Sequence, residues 1–193
     1  MRADLFALAN DFGISIASLA TRGLTEYEEA TELEVVEVGE DGKEHFLVPA
    51  AAQAWRALKA GALDANVELF IVSAFRSVER QAEIVRRRLA KGQAIEEILV
   101  VCAPPGFSEH HSGRAIDLST PGAPLLEPEF DQTAAFAWLT QHANDFGFRL
   151  SFPAGNLQGY IYEPWHWCFH VARQSSPTEV SKPHLARPLN SRE

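Results

Sequence analysis

The amino-acid sequence predicts an α+β fold, in which helices cover one face of a small antiparallel sheet and the other face carries the candidate site. Short segments with strand patterns alternate with longer amphipathic segments. The 193 residues suffice for one sizeable core but would be cramped for two domains. A content of 46% hydrophobic and 22% charged residues is close to that of ordinary globular chains, which disfavours wholesale disorder and fibrous architectures.

The N-terminal quarter of the chain predicts short helices followed by a β-hairpin. Asp4 to Ala20 has the pattern of one or two amphipathic helices, with a break at Gly13. Leu33 to Val38 alternates between apolar and polar residues as a strand does. The turn Glu40-Asp41-Gly42 then leads to Phe46-Leu47-Val48, and this arrangement indicates a hairpin.

The next segment predicts a helix, a strand and a second helix. Pro49 suits the first position of a helix that extends through AAAQAWRALKAGA. Val67 to Ser73 is apolar and rich in β-branched residues, which predicts a buried central strand. Ser77 can cap a long helix that reaches Gly92. Arg76 therefore lies at a junction between a strand and a helix.

The C-terminal half predicts the remaining strands of the sheet. Arg114 to Leu118 has the length and pattern of a strand, and Gln132 to Phe146 predicts a helix closed by Gly147. Strand character resumes at Phe148 to Phe152 and at Gly159 to Val171.

The domain boundary is predicted near residue 172. We expect residues 1–172 to form a single domain. Residues 173–193 contain three prolines and few large apolar groups, which predicts a flexible tail. No segment approaches the roughly 18 consecutive apolar residues that span a bilayer, so we predict no membrane insertion. The N-terminus also lacks the continuous apolar region of a secretory signal.

Composition limits the partners and the covalent structure. Seventeen Lys and Arg against 26 Asp and Glu give a net charge of −9, which disfavours nucleic acid and anionic lipid as partners. Cys102 and Cys168 are too few for a disulfide framework and lack C-x-x-C spacing. Two buried free thiols are favoured, and a disulfide between them stays open.

The segment from Ser108 to Asp117 combines metal-ligating side chains with a glycine. In a straight helix, His110 and Asp117 would lie about 10 Å apart along the axis. Two ligands of one zinc ion must place their donor atoms about 2 Å from it. A turn through Gly113 followed by a strand therefore suits them better. His111 stays open as an alternative ligand.

A second cluster follows at Glu163-Pro164-Trp165-His166. Pro164 favours extended geometry before it, and in a strand His166, Cys168 and His170 share one face. A carboxylate three residues before a histidine ligand can activate a water at the metal without binding the metal itself. Cys168 and His170 stay open as alternative ligands.

On these residues the sequence resembles the D-alanyl-D-alanine carboxypeptidases and dipeptidases related to the vancomycin-resistance, VanY-type peptidases, which share a metal-site fold with hedgehog-type domains. The resemblance is carried by S-x-H-x-x-G-x-A-x-D at Ser108 to Asp117, E-P-W-H at Glu163 to His166, and S-A-F-R-S at Ser73 to Ser77. It covers about residues 45–172.

The resemblance implies a role for each matching residue. It implies one zinc ion per chain, held by His110, Asp117 and His166, with Glu163 as the general base. It also implies that Arg76 stabilises the oxyanion formed when water attacks the peptide carbonyl. A simple surface ion pair is the alternative for Arg76.

Three further residues are predicted to contact the substrate. Ser108 and Gln81 match substrate-contacting positions of the family, although Gln81 could also be an ordinary exposed helix residue. Trp165 is expected to border the substrate, with core packing as the alternative. The chain departs from the family at Ala74-Phe75, where Gly-Tyr is usual, and at Cys168-Phe169, where Arg-Tyr is common.

The implied function is zinc-dependent hydrolysis that releases the C-terminal D-alanine of peptidoglycan stem peptides or their precursors. The alternatives are a D-Ala-D-Ala dipeptidase, an L,D-endopeptidase and a non-catalytic zinc-containing binding module. Pro164 favours the carboxypeptidase, since the dipeptidases more often carry a bulky residue there, and Glu163 with Arg76 favours an enzyme. The resemblance implies the cell envelope, whereas the missing signal leaves the cytoplasm open.

Overall fold

The computed structural model describes residues 3–170, so the predicted tail at 173–193 lies outside the described residues. Three short 3-10 helices lie within this range at Glu109–Ser112, Pro128–Gln132 and Ala143–Phe146. The described range contains no helix with both the length and the apolar character needed to cross a bilayer. In chain order the α-helices and strands are α1 (Ala3–Asp11), α2 (Ile16–Thr21), β1 (Glu34–Val38), β2 (Glu44–Leu47), α3 (Pro49–Asp64), β3 (Phe70–Ser73), α4 (Val78–Ala90), α5 (Ile95–Leu99), β4 (Ala115–Ser119), α6 (Ala134–His142), β5 (Phe148–Leu150) and β6 (His166–Phe169).

Strands β3 to β6 form a four-stranded antiparallel sheet in the order β3-β4-β6-β5. Strands β1 and β2 pair separately as the predicted hairpin. The mixture of a small antiparallel sheet with helices confirms the α+β prediction.

The core lies between the sheet and helices α3 and α6. Ile116 and Leu118 of β4 and Trp167 of β6 are buried in one apolar cluster with Trp55 of α3 and Leu139 of α6. Side chains alternate between the two faces of a strand. The residues between these core positions, which include the predicted ligands of β4 and β6, therefore point to the opposite face.

A second apolar cluster joins the N-terminal helices to the rest of the domain. Phe12 and Leu19 pack with Ala82 and Val85 of α4 and with Ile98 of α5. Helix α5 was not predicted, because its five residues are too few to show a helical period. The cluster fixes the N-terminal segment beside α4.

The prediction that Val67 to Ser73 forms a central strand is wrong. Strand β3 is shorter and lies at the edge of the sheet. The hairpin covers its outer side, where the Ile71 amide donates to Glu37 Oε1 at 2.9 Å and the Phe75 amide donates to the Phe46 carbonyl at 3.0 Å. Leu69 and Ile71 are buried in the same core cluster as Leu47 of the hairpin, which accounts for the apolar sequence of an edge strand.

Other elements differ from their predictions mainly in length. The predicted break at Gly13 is confirmed, and Ser15 caps the second helix. The helix predicted from Gln132 begins after the Thr133 cap and ends in a 3-10 turn. Within Gly159 to His170, only His166–Phe169 is a strand.

Gly113 links the first predicted ligand to β4 and has a backbone that favours glycine. Its φ is +63°, and an added Cβ would lie 3.0 Å from both Leu33 Cδ2 and Val48 Cγ1. Gly42 also has a positive φ, +78°, but has nothing within 4 Å of such a Cβ. An alanine at position 113 would therefore meet both an unfavourable φ and crowding, whereas an alanine at position 42 would meet only the unfavourable φ.

We predict that Gly113→Ala costs about 1 kcal/mol of unfolding free energy from strain and at least about 1 kcal/mol more from crowding. Gly42→Ala, the matched control, should show the strain alone. Urea unfolding followed by circular dichroism measures both variants. Equal losses would contradict the crowding argument.

Candidate metal centre and active site

Three ligand-type side chains converge on the open face of the sheet. One ligand atom each from His110, Asp117 and His166 lies within 4.8 Å of the others, and all three residues are buried. Asp117 and His166 are directly paired across β4 and β6. His110 comes from the 3-10 turn that ends at Gly113. The structure thus brings together the three residues predicted to bind metal.

His110 is held in the form that a metal ligand requires. Its Nδ1–H donates to the Ala74 carbonyl at 2.7 Å, which leaves Nε2 to face Asp117 Oδ2 at 3.2 Å. Burial lowers the pKa of His110 to about 4, despite the opposing effect of Asp117. The ring is therefore neutral at physiological pH and has a lone pair directed into the cluster.

His166 lies between two carboxylates. Its Nδ1 contacts Asp117 Oδ1 at 2.9 Å, and its Nε2 contacts Glu109 Oε2 at 2.9 Å. Burial by itself would lower the pKa of His166, but the hydrogen bonds to the two carboxylates have the larger effect and raise this pKa to about 10. The hydrogen bond from the protonated His166 in turn holds the pKa of Asp117 well below its usual range, against the effect of burial. Without a metal, the cluster therefore carries a proton on His166.

The alternative ligands do not join the cluster. His111 uses both ring nitrogens on the backbone, as Nδ1–H donates to the Arg76 carbonyl at 2.6 Å and Nε2 accepts from the Gly106 amide at 3.1 Å. Cys168 and His170 are absent from the metal-type cluster found within residues 3–170. Cys102 and Cys168 are free and buried, as favoured from the sequence.

Arg76 reaches the cluster from the end of β3. Its Nη2 lies 3.8 Å from Asp117 Oδ2, and Nη1 donates to Gln81 Oε1 at 2.7 Å. Gln81 is fully buried and donates to the Ala103 carbonyl at 2.6 Å. The alternative prediction, that Gln81 is an ordinary exposed residue of the helix, is therefore wrong. Gln81 lies behind Arg76, where it orients the guanidinium, and its predicted contact with substrate stays a prediction.

A cavity of about 350 Å³ opens onto the cluster. Ser108 and Trp165 are buried in its wall, and Trp165 also belongs to the sheet core. The two interpretations of Trp165 are thus compatible. The size is at the lower end of the range for small-ligand sites.

Glu163 lines the same cavity beside the predicted ligands. Its Oε2 lies 4.0 Å from His166 Nδ1, and its side chain is 13% exposed. Burial raises the pKa of Glu163 to about 7, although the charge of His166 opposes this. A carboxyl group with this pKa can accept and return a proton near neutral pH.

Two residues of the site were missed by sequence reasoning. Glu109 contacts His166 from the side opposite Asp117, and only its position within the S-x-H motif could have drawn attention to it. Tyr160 lines the cavity, and its hydroxyl is buried with no hydrogen-bond partner among the described residues. The Arg22 guanidinium lies over the Tyr160 ring at 4.7 Å, a contact that no sequence pattern predicts.

Comparison with known proteins agrees with this geometry. A model of the VanY family, D-alanyl-D-alanine carboxypeptidase, matches residues 44–172. The chain belongs to the VanY family. This match confirms the resemblance and the assignment to a family of carboxypeptidases.

Curated relatives match part of this chain. YodJ of Bacillus subtilis, a proposed carboxypeptidase, is 32% identical over 128 residues, which is 64% of this chain and 46% of YodJ. A D-alanyl-D-alanine carboxypeptidase of Enterococcus faecalis is 30% identical over 107 residues, which is 50% of this chain and 38% of that protein. The chain thus covers less than half the length of these relatives.

Solved structures of the family share the fold. The LdcB LD-carboxypeptidase has a TM-score of 0.66 at 28% identity, covering 73% of this chain and 69% of its own. A mutant of the vancomycin-resistance D,D-pentapeptidase VanY, in complex with Zn(II), has a TM-score of 0.57 at 25% identity, covering 77% and 87%. These likenesses confirm the predicted peptidase-like fold.

We predict that zinc binding strengthens as the pH rises. The pKa of His166 is raised to about 10 in the metal-free protein, so between pH 6 and 8 a metal must displace its proton. His110, with a pKa lowered to about 4, contributes no such dependence there. One displaced proton strengthens apparent affinity up to about tenfold per pH unit.

Competition with a zinc chelator at pH 6, 7 and 8, corrected for protonation of the chelator, measures this dependence. An affinity that does not change with pH would contradict the proposed protonation of His166.

Proposed function

We propose that this VanY-family chain is a zinc-dependent carboxypeptidase that releases the C-terminal D-alanine of peptidoglycan stem peptides or their precursors. The main support is the convergence of His110, Asp117 and His166 within 4.8 Å at the base of a cavity that Glu163 also lines. The family assignment and the Zn(II)-containing relative support the same activity.

The donor set suits zinc. Two imidazole nitrogens and one carboxylate oxygen are ligands that Zn²⁺ accepts, and three protein ligands are usual where a zinc site is catalytic. His110 has a free lone pair, and Asp117 is ionised. When bound there, zinc would polarise the peptide carbonyl and lower the pKa of a water. We propose one such ion per chain.

Glu163 is the proposed general base. It takes a proton from the attacking water and returns it to the leaving amine. Glu109 is the other glutamate beside His166, but hydrogen bonds from His166 and Ser151 outweigh burial and lower its pKa to about 2. Glu163, with a pKa raised to about 7, is the better proton acceptor.

Arg76 is the proposed electrostatic stabiliser. Hydrogen bonds to Gln81 and Ser73 hold its guanidinium beside the cluster at 19% side-chain exposure. A fixed positive charge in a largely buried site stabilises the negative charge that develops on the carbonyl oxygen.

The size of the cavity supports a small substrate group. Its volume of about 350 Å³ is at the lower end of the range for small-ligand sites, which suits a terminal residue with a small side chain. The residues that line it include the aromatic Phe152 and Trp165 and the polar Ser108.

An L,D-carboxypeptidase activity is the second candidate, because the LdcB LD-carboxypeptidase shares the fold at a TM-score of 0.66. The two activities differ in the residue that precedes the released D-alanine. A pentapeptide ending in D-Ala-D-Ala and a tetrapeptide ending in an L-centre followed by D-Ala separate them.

We predict that the protein releases D-alanine from the pentapeptide in a zinc-dependent manner, and that Glu163→Gln reduces kcat by at least about 100-fold without weakening zinc binding. Chromatographic detection of D-alanine, with chelator and with zinc restored, measures turnover. Glu127→Gln, which changes an exposed carboxylate on the same cavity, is the matched control and should keep its activity.

Three outcomes would count against this assignment. Wild-type kcat in Glu163→Gln would exclude Glu163 as the base. Release only from the tetrapeptide would favour the L,D-carboxypeptidase, and zinc binding with no release from either peptide would favour the binding module.

A further inference from the structure

Glu109 contacts the far side of a predicted metal ligand. Its Oε2 lies 2.9 Å from His166 Nε2, while His166 Nδ1 faces Asp117 and the metal cluster. The two nitrogens of an imidazole ring are coupled, since a proton held on one leaves the lone pair on the other. A carboxylate that accepts a hydrogen bond from Nε2–H keeps the proton on that nitrogen and leaves the lone pair of Nδ1 to bind a metal.

Glu109 is itself held in place by two hydroxyl groups. Ser151 Oγ donates to the same Oε2 at 2.6 Å, and the Tyr27 hydroxyl donates to Oε1 at 3.4 Å. The Glu109 side chain is only 15% exposed. Both oxygens of a largely buried carboxylate thus have donors, which fixes the orientation of the group.

One of these donors comes from outside the family-matched region. Tyr27 precedes the match at residues 44–172. Its segment is bound to the ligand-bearing turn on both sides, because the Tyr27 amide donates to the Gly106 carbonyl and the Ala30 amide donates to the His111 carbonyl, each at 2.8 Å. The N-terminal segment is therefore part of the support of the site.

We propose that Glu109 is a positioning residue of the metal centre, which holds His166 with Nε2 protonated and Nδ1 directed at the metal, and that Ser151 and Tyr27 orient Glu109. Metal-binding histidines commonly donate their second N–H to a carboxylate, and loss of such a partner weakens metal binding about 10-fold to 100-fold. The role rests on the zinc site of the proposed function but is independent of its substrate.

The test measures zinc affinity of the full chain after removal of metal, by competition with a chromogenic chelator. Glu109→Gln keeps the size of the side chain but removes its charge, and we expect it to weaken zinc binding about 10-fold or more. Glu127→Gln is the matched control, because Glu127 is exposed and lines the same cavity without contacting a predicted ligand. It should bind zinc as the wild type does.

The supporting hydroxyl groups allow a finer test. Ser151→Ala and Tyr27→Phe leave Glu109 in place but remove its donors, so each should weaken zinc binding by a few-fold. These variants also keep the proposal testable if Glu109→Gln fails to fold. Thermal unfolding of the metal-free proteins shows whether a lost affinity reflects a lost fold.

A kinetic measurement separates positioning from substrate binding. At zinc concentrations that saturate each variant, Glu109→Gln should keep the wild-type KM for the D-Ala-D-Ala peptide and lose only kcat.

Wild-type zinc affinity in Glu109→Gln, or weakening of equal size in Glu127→Gln, would overturn the proposal. If the wild type binds zinc but releases no D-alanine, the peptidase function fails while the affinity comparison still decides the role of Glu109.

Discussion

The pairing of Asp117 with His166 across β4 and β6 is the constraint on which the rest of the site depends. It places two ligands side by side with no flexible connection between them. Strand alternation buries Ile116 and Trp167 on the opposite face of the same strands. Formation of the core and assembly of the metal site therefore require the same strand register, because a slip by one residue would exchange ligands and core residues.

The carboxylates around His166 are distinguished by their surroundings. Glu109 receives hydrogen bonds from three side chains and has a pKa lowered to about 2. Glu163 lies near the same ring but receives no such hydrogen bond from a side chain within residues 3–170, and burial raises its pKa to about 7. Glu109 thus stays ionised and is suited to hold His166 in place, whereas Glu163 can exchange a proton near neutral pH. Asp117, held ionised by its hydrogen bond from His166, is suited to bind the metal.

Sequence reasoning succeeded where function depends on short spacings and failed where it depends on contacts between distant segments. The spacing from His110 through Gly113 to Asp117 was enough to predict a turn followed by a strand, because both elements are local. The edge position of β3 depends on strand order, which no local pattern contains. The contact between Tyr27 and Glu109 joins residues 82 positions apart, so only the folded chain shows it.

The hairpin on the outer side of β3 also affects how the edge of the sheet can pair with other molecules. An exposed edge strand offers unpaired amides to strands of other molecules, which leads to edge-to-edge aggregation. Here Glu37 accepts the Ile71 amide and also pairs with Lys59 at 2.6 Å, so a charged group occupies the place where a foreign strand would add. The hairpin thereby disfavours edge-to-edge pairing of two molecules at β3.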